Sequence, residues 1–106
     1  MDIEKLLQAL KDNLLSLLGE KLKDFKPQLE KDINEYINLS RAKLERWALL
    51  LAAGSITNDE LEWLLKSQQD LVILKTFQIA GLSKIKLNNL QNSVIQTIFK
   101  TIILAI

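Results

Sequence analysis

LLSLLGEKLKDFKPQLEKDINEYINLSRAKLERW, residues 14–47, carries the reading of the fold. Within it Leu14, Leu18, Leu22, Phe25, Leu29, Ile33, Tyr36, Ser40, Leu44 and Trp47 recur at intervals of four, four and three, three times over. An eleven-residue repeat averages about 3.67 residues per turn, close to the 3.6 of the helix itself, so these side chains share one face with little supercoil. Ile3, Leu7 and Leu10 extend the stripe upstream, and Leu51 extends it downstream. Every member but Ser40 is apolar or aromatic. The stretch predicts a long amphipathic helix.

Pro27 interrupts that helix or bends it. Proline is comfortable in a first turn and costs about 3 kcal/mol in a helix interior. The predicted helices therefore span about 2–26 and 27–53, continuous or kinked at Pro27. The junction from Asp24 to Gln28 has no Gly or Asn for a tight hairpin, and the stripe crosses it in register, Phe25 to Leu29. Pro27 also lies opposite the stripe, where water can replace its missing hydrogen bond. These points favour one bent helix over two packed ones. Gly19 is read as internal, because Glu20 to Phe25 resumes in phase.

Local signals punctuate the rest. Asp2 can cap the first helix. Gly54 offers a left-handed stop. Thr57-Asn58-Asp59-Glu60 is a capping box, in which the first hydroxyl and the last carboxylate each satisfy the other's backbone N–H. A third helix is expected over 58–80, buried on more than one side at Leu71-Val72-Ile73-Leu74, with Gly81 repeating the stop. With the second arm it would form an αα-hairpin, Trp47 and Trp63 meeting near its closed end. Leu82 to Leu87 alternates weakly and is expected to be an extended connector. Asn88 or Asn89 would cap a last helix over 88–104, with Leu90, Val94, Ile95, Ile98, Phe99, Ile102, Ile103 and Ile106 on its apolar face. The expected fold is a single all-α domain: a long kinked N-terminal helix with coiled-coil-like patterning, an αα-hairpin and a C-terminal amphipathic helix, of helical-bundle type.

Composition narrows the chemistry. The 106 residues include no Cys and no His, which removes disulfides, thiolate and imidazole metal sites, and every His-based catalytic pair or triad. A net charge of +1 gives no blanket attraction to nucleic acid, and Lys21, Lys23, Lys26 and Lys31 alternate with acids. All thirteen acids lie at or before Asp70, while 71–106 carries only Lys75, Lys84, Lys86 and Lys100. The plainer reading is that a basic tail packs on an acidic first half. Lys outnumbers Arg twelve to two and Ile and Asn abound, the usage of AT-rich microbial codons. Asp2 and Glu4 stand where a secretory signal would be basic, and no stretch reaches the 18 or so uninterrupted apolar residues of a spanning helix. A cytoplasmic protein is expected.

Motifs for catalysis are weak. Ser40-Arg41-Ala42-Lys43 matches the S-x-x-K of serine β-lactam enzymes, but the companion motifs and the sheet that holds them are missing. Ser40 reads instead as a small residue where a neighbouring helix comes close. Asp59/Glu60/Glu62 and Glu30/Asp32/Glu35 read as a cap and solvated faces. No cofactor, metal or small-molecule substrate is expected, and no enzymatic activity.

The length of the expected helix points to a partner. An unbroken helix over 2–53 would measure about 75 Å, against a radius of gyration near 13 Å for a compact chain of about 100 residues. The first-arm stripe would then lie bare, beyond the few hundred Å² that soluble monomers usually expose. The expected interaction surface is Ile3, Leu7, Leu10, Leu14 and Leu18 on the first arm, with Ile95, Phe99, Ile102, Ile103 and Ile106 on the last helix. The expected function is that of a structural or interaction protein, a homo-oligomer or a subunit docking in a larger assembly. The alternative is a peripheral membrane protein that uses its Ile-rich C-terminal helix. Asn, Gln and Thr flank that helix's apolar face, which suits a protein interface better than lipid.

Overall fold

Pro27 opens a helix rather than bending one. In a computed structural model that describes residues 2–68 and 75–106, α1 (Ile3–Gly19) stops eight residues short of the proline. The backbone then turns through Glu20 to Leu22 and a 3-10 turn at Lys23–Phe25. Helix α2 (Lys26–Ala52) starts with Pro27 in its first turn, where the missing N–H has no intrahelical partner to lose. The expected bent helix is thus two helices, and they lie antiparallel: the Glu4–Arg41 ion pair and the Lys11–Glu30 ion pair at 3.7 Å run in opposite senses along them.

The register across the junction has another explanation. Both helices must turn an apolar face to the same core, so each stripe is in phase with that core rather than with the other helix. Leu22 and Phe25, which carry the stripe over the junction, hold it loosely: Leu22 packs half-buried against the core and Phe25 is exposed. Leu10, Leu14 and Leu18 are sealed, as are Leu29, Ile33 and Leu44 on α2. Burying each such side chain contributes about 1.5–3 kcal/mol, which outweighs the few hydrogen bonds lost by interrupting the helix at Gly19.

Beyond α2 come α3 (Asn58–Ser67), α4 (Lys75–Ile79) and α5 (Lys84–Ala105). Gly54, at φ 73°, ends α2 as read from sequence, with Ser55 N–H on the Leu50 carbonyl at 2.8 Å and Gly54 N–H on that of Leu51 at 3.0 Å. Gly81, at φ 82°, closes α4 the same way through Leu82 to Phe77 and Gly81 to Gln78. The capping box is complete: Glu60 N–H donates to Thr57 Oγ1 and Thr57 N–H to Glu60 Oε1, both at 3.1 Å. Asp2 caps α1 through the N–H groups of Glu4 and Lys5.

Two elements differ from expectation. The helix expected over 58–80 ends at Ser67, because Gln68 is extended and its side chain is drawn onto α2. The apolar run Leu71 to Leu74 lies outside the described residues. The expected connector at 82–87 is helical from Lys84, and Ser83 rather than Asn88 or Asn89 is the cap, accepting from Lys86 N–H. Leu87, Leu90, Val94 and Ile98 already stand at helical spacing, and that pattern prevails over the short alternation.

Helix α1 lies between α2 and α5 and runs antiparallel to both. Asn13 Nδ2 donates to Thr101 Oγ1 at 3.0 Å, while Leu22 and Leu90 line one cleft, so positions along α1 and α5 run in opposite senses. Helix α3 packs chiefly on α5 through buried Leu61 and Leu65, and α4 packs on α2. From the Gly54 turn α3 also runs back along α2, its C-cap Gln68 reaching Tyr36 and Ser40, so the expected αα-hairpin forms, with α3 approaching α5 more closely than α2. Trp47 is half-buried against the core, but Trp63 is 67 % exposed and stands outside it. The result is an all-α bundle, 41 Å in its longest dimension. Helix α2 accounts for that length, since 27 residues at 1.5 Å each make about 40 Å.

Candidate interaction surface

The residues singled out in the sequence as a surface are mostly core. Leu7, Leu10, Leu14 and Leu18 on α1 and Ile95 and Ile102 on α5 are buried, and Ile3 and Phe99 pack partly buried against them. Ile103 is half-buried, and only Ile106 is exposed. The correction has one physical cause: with the chain reversed between Gly19 and Lys26, the α1 stripe meets α2 on one flank and α5 on the other. An unbroken arm would lie bare; the broken one is covered by its own chain. The apolar face of α5, offered as a membrane contact, is occupied in the same way.

Three polar contacts inside the bundle were not foreseen in the sequence. Asp32, expected on a solvated face, is instead buried on α2 and accepts from Thr76 N–H at 3.0 Å and from the Thr76 hydroxyl. It thereby ties α4 to α2. The signal was present: Asp32 stands three residues after Leu29 and four before Tyr36, on the stripe's flank. Tyr36 donates to Gln68 Oε1 at 3.1 Å, and Gln68 Nε2 donates to Ser40 Oγ at 2.8 Å. Ser40 is a small buried residue at a close approach, as read, but what approaches is the Gln68 side chain. On α5, the hydroxyl of Thr101 bonds the Thr97 carbonyl at 2.7 Å while receiving Asn13. Among the described residues no three acidic side chains gather to hold a metal ion, and no helix is long and apolar enough to cross a membrane.

Besides Trp63 on α3 and Leu104 and Ile106 at the end of α5, exposed large apolar side chains gather with charged neighbours in two places among the described residues. The first is the outer face of the C-terminal half of α2. Leu39, Ala42, Arg46, Leu49 and Ala53 recur there at intervals of three and four, all exposed, Leu39 at 61 % and Leu49 at 48 %. Ala42, Glu45, Arg46, Leu49 and Leu50 line a shallow groove. Among the described residues neither Glu45 nor Arg46 is in an ion pair.

The second is the end of the bundle where α1 finishes and α2 and α5 begin. The α1–α2 turn carries Lys21, Lys23, Phe25 and Lys26, and the α4–α5 turn carries Ile79, Lys84, Ile85 and Lys86, all exposed. Between the turns opens a cleft of about 360 Å³, floored by Leu22, Phe77, Leu82 and Leu90 and rimmed by Lys21 and Lys86. The chain matches no protein-family model, and neither a curated protein nor a solved structure matches it.

Proposed function

We propose that the protein is a non-enzymatic structural module that works by association with a second copy of itself, through the outer face of α2 rather than the α1 stripe. The supporting observation is the exposed Leu39–Ala53 stripe with Glu45 and Arg46 at its centre, neither in an ion pair among the described residues. Acid and base adjacent in sequence complement themselves under a two-fold axis. When two α2 helices cross antiparallel at this point, each copy's Glu45 meets the other's Arg46. The same crossing lays each Leu49 over the other copy's Ala42, whose small side chain leaves room for it. Arg46 contributes a long apolar stem as well as its charge.

The test is mass in solution by light scattering over a concentration series. A mass rising toward twice the 12.1 kDa chain is expected for the native protein. Arg46→Glu should abolish the rise by setting acid against acid. Combining Arg46→Glu with Glu45→Arg should restore it, because the swapped pair again faces its opposite. A native mass of one chain at every concentration, or no rescue by the swap, rejects the reading.

A further inference from the structure

We infer that the lysine-bearing end of the bundle docks on an anionic lipid surface. The fold assembles this end from two segments about sixty residues apart: 19–28 around the α1–α2 turn and 79–89 around the α4–α5 turn. Together they hold Lys21, Lys23, Lys26, Lys84 and Lys86 against only Glu20 and Asp24, and 79–89 contains no acid at all. All five lysines are exposed, and among the described residues none of them is in an ion pair. The near-zero charge of the whole chain conceals this local excess.

The apolar side chains decide for lipid over an acidic protein or a nucleic acid. Three large ones stand out from the same end: Phe25 at 37 %, Ile79 at 76 % and Ile85 at 74 % exposed. Two of them are bracketed by lysine along the chain, in Lys23-Asp24-Phe25-Lys26 and Lys84-Ile85-Lys86. An apolar tip with basic neighbours is the arrangement that enters the headgroup boundary, while lysine stems lie along it and their ammonium groups reach lipid phosphates. The cleft between the turns adds Lys21 and Lys86 above an apolar floor, so phosphate and hydrocarbon meet matching chemistry at adjacent points. This surface is separate from the outer face of α2, so its test stands or falls on its own.

The experiment is flotation of the full chain with vesicles of phosphatidylcholine alone or with about one-third phosphatidylglycerol, at low and physiological salt. Binding to the anionic vesicles, at least tenfold above the neutral ones and weakened by salt, is expected. Lys23→Glu with Lys84→Glu should remove it, and so should Phe25→Ser with Ile85→Ser. All four positions are exposed, and an unchanged circular dichroism spectrum and thermal midpoint will show that the bundle is intact. Absence of binding to anionic vesicles overturns the inference, as does binding that survives either pair of substitutions. Binding to polyglutamate or duplex DNA without binding to vesicles assigns the lysines to a soluble polyanion and overturns it too.

Discussion

Asp32 shows how one buried side chain can tie two helices together. Its carboxylate on α2 accepts both the N–H and the hydroxyl of Thr76 on α4. Asp32→Ala leaves the buried N–H and hydroxyl of Thr76 without their acceptor, so a loss of about 2 kcal/mol is expected, read from the urea midpoint. Glu62 acts at the surface. The Lys66 ammonium, 2.7 Å away and hydrogen-bonded to it, holds its carboxyl below the ordinary value of 4.5, with Gln96 of α5 assisting. Because the folded value is lowered, the pair's contribution is full above the usual carboxylate range and fades as pH falls through the lowered value. Glu62→Gln should therefore show a shallower loss of stability below pH 4.5 than the native chain. The Glu62–Lys66 pair is a local i,i+4 spacing that the sequence displays. Asp32's place on the stripe's flank marks it for burial, but its partner was not legible: periodicity assigns a face, and Thr76 meets Asp32 only when distant helices come together.

Among the elements, the two glycine stops, the capping box and the Asp2 cap were legible because each is a contest among a few neighbouring residues. The break at Gly19 was not. A glycine in phase with its surroundings gives no local sign that the chain reverses; the gain that favours reversal comes from α5, some seventy residues on. The two glycines should respond oppositely to alanine. Gly19 is the last residue of α1, at ordinary φ, and a methyl group would meet nothing within 4 Å, so Gly19→Ala should stabilise by about 0.5–1 kcal/mol. Gly54 is left-handed, and Gly54→Ala should cost about 1–2 kcal/mol despite equally open space. Thermal denaturation of the two variants beside the native chain checks both.

For the molecule as a whole, the all-α class and the identity of most core residues followed from spacing alone. What covers them did not follow, because an apolar stripe records that it is buried and not whose atoms bury it. Leu14 and Ile102 look the same in sequence whether sealed by one chain or two. The radius of gyration, 13.6 Å, is near the value expected of a chain closed on itself. The surfaces left over are those that periodicity ignores: the back of α2, and turns where charge gathers from remote segments.

Helix α2 runs the length of the bundle, and the two outward-facing regions sit toward its opposite extremities. Two copies crossed head to tail at Glu45 and Arg46 would therefore aim their lysine tips in opposite directions, roughly 60 Å apart at 1.5 Å per residue. Such a pair would be a rod with an adhesive foot at either end, and it would bridge membranes instead of coating one. Anionic vesicles should turn cloudy as the native protein links them, whereas Arg46→Glu, still able to bind, should leave the suspension clear.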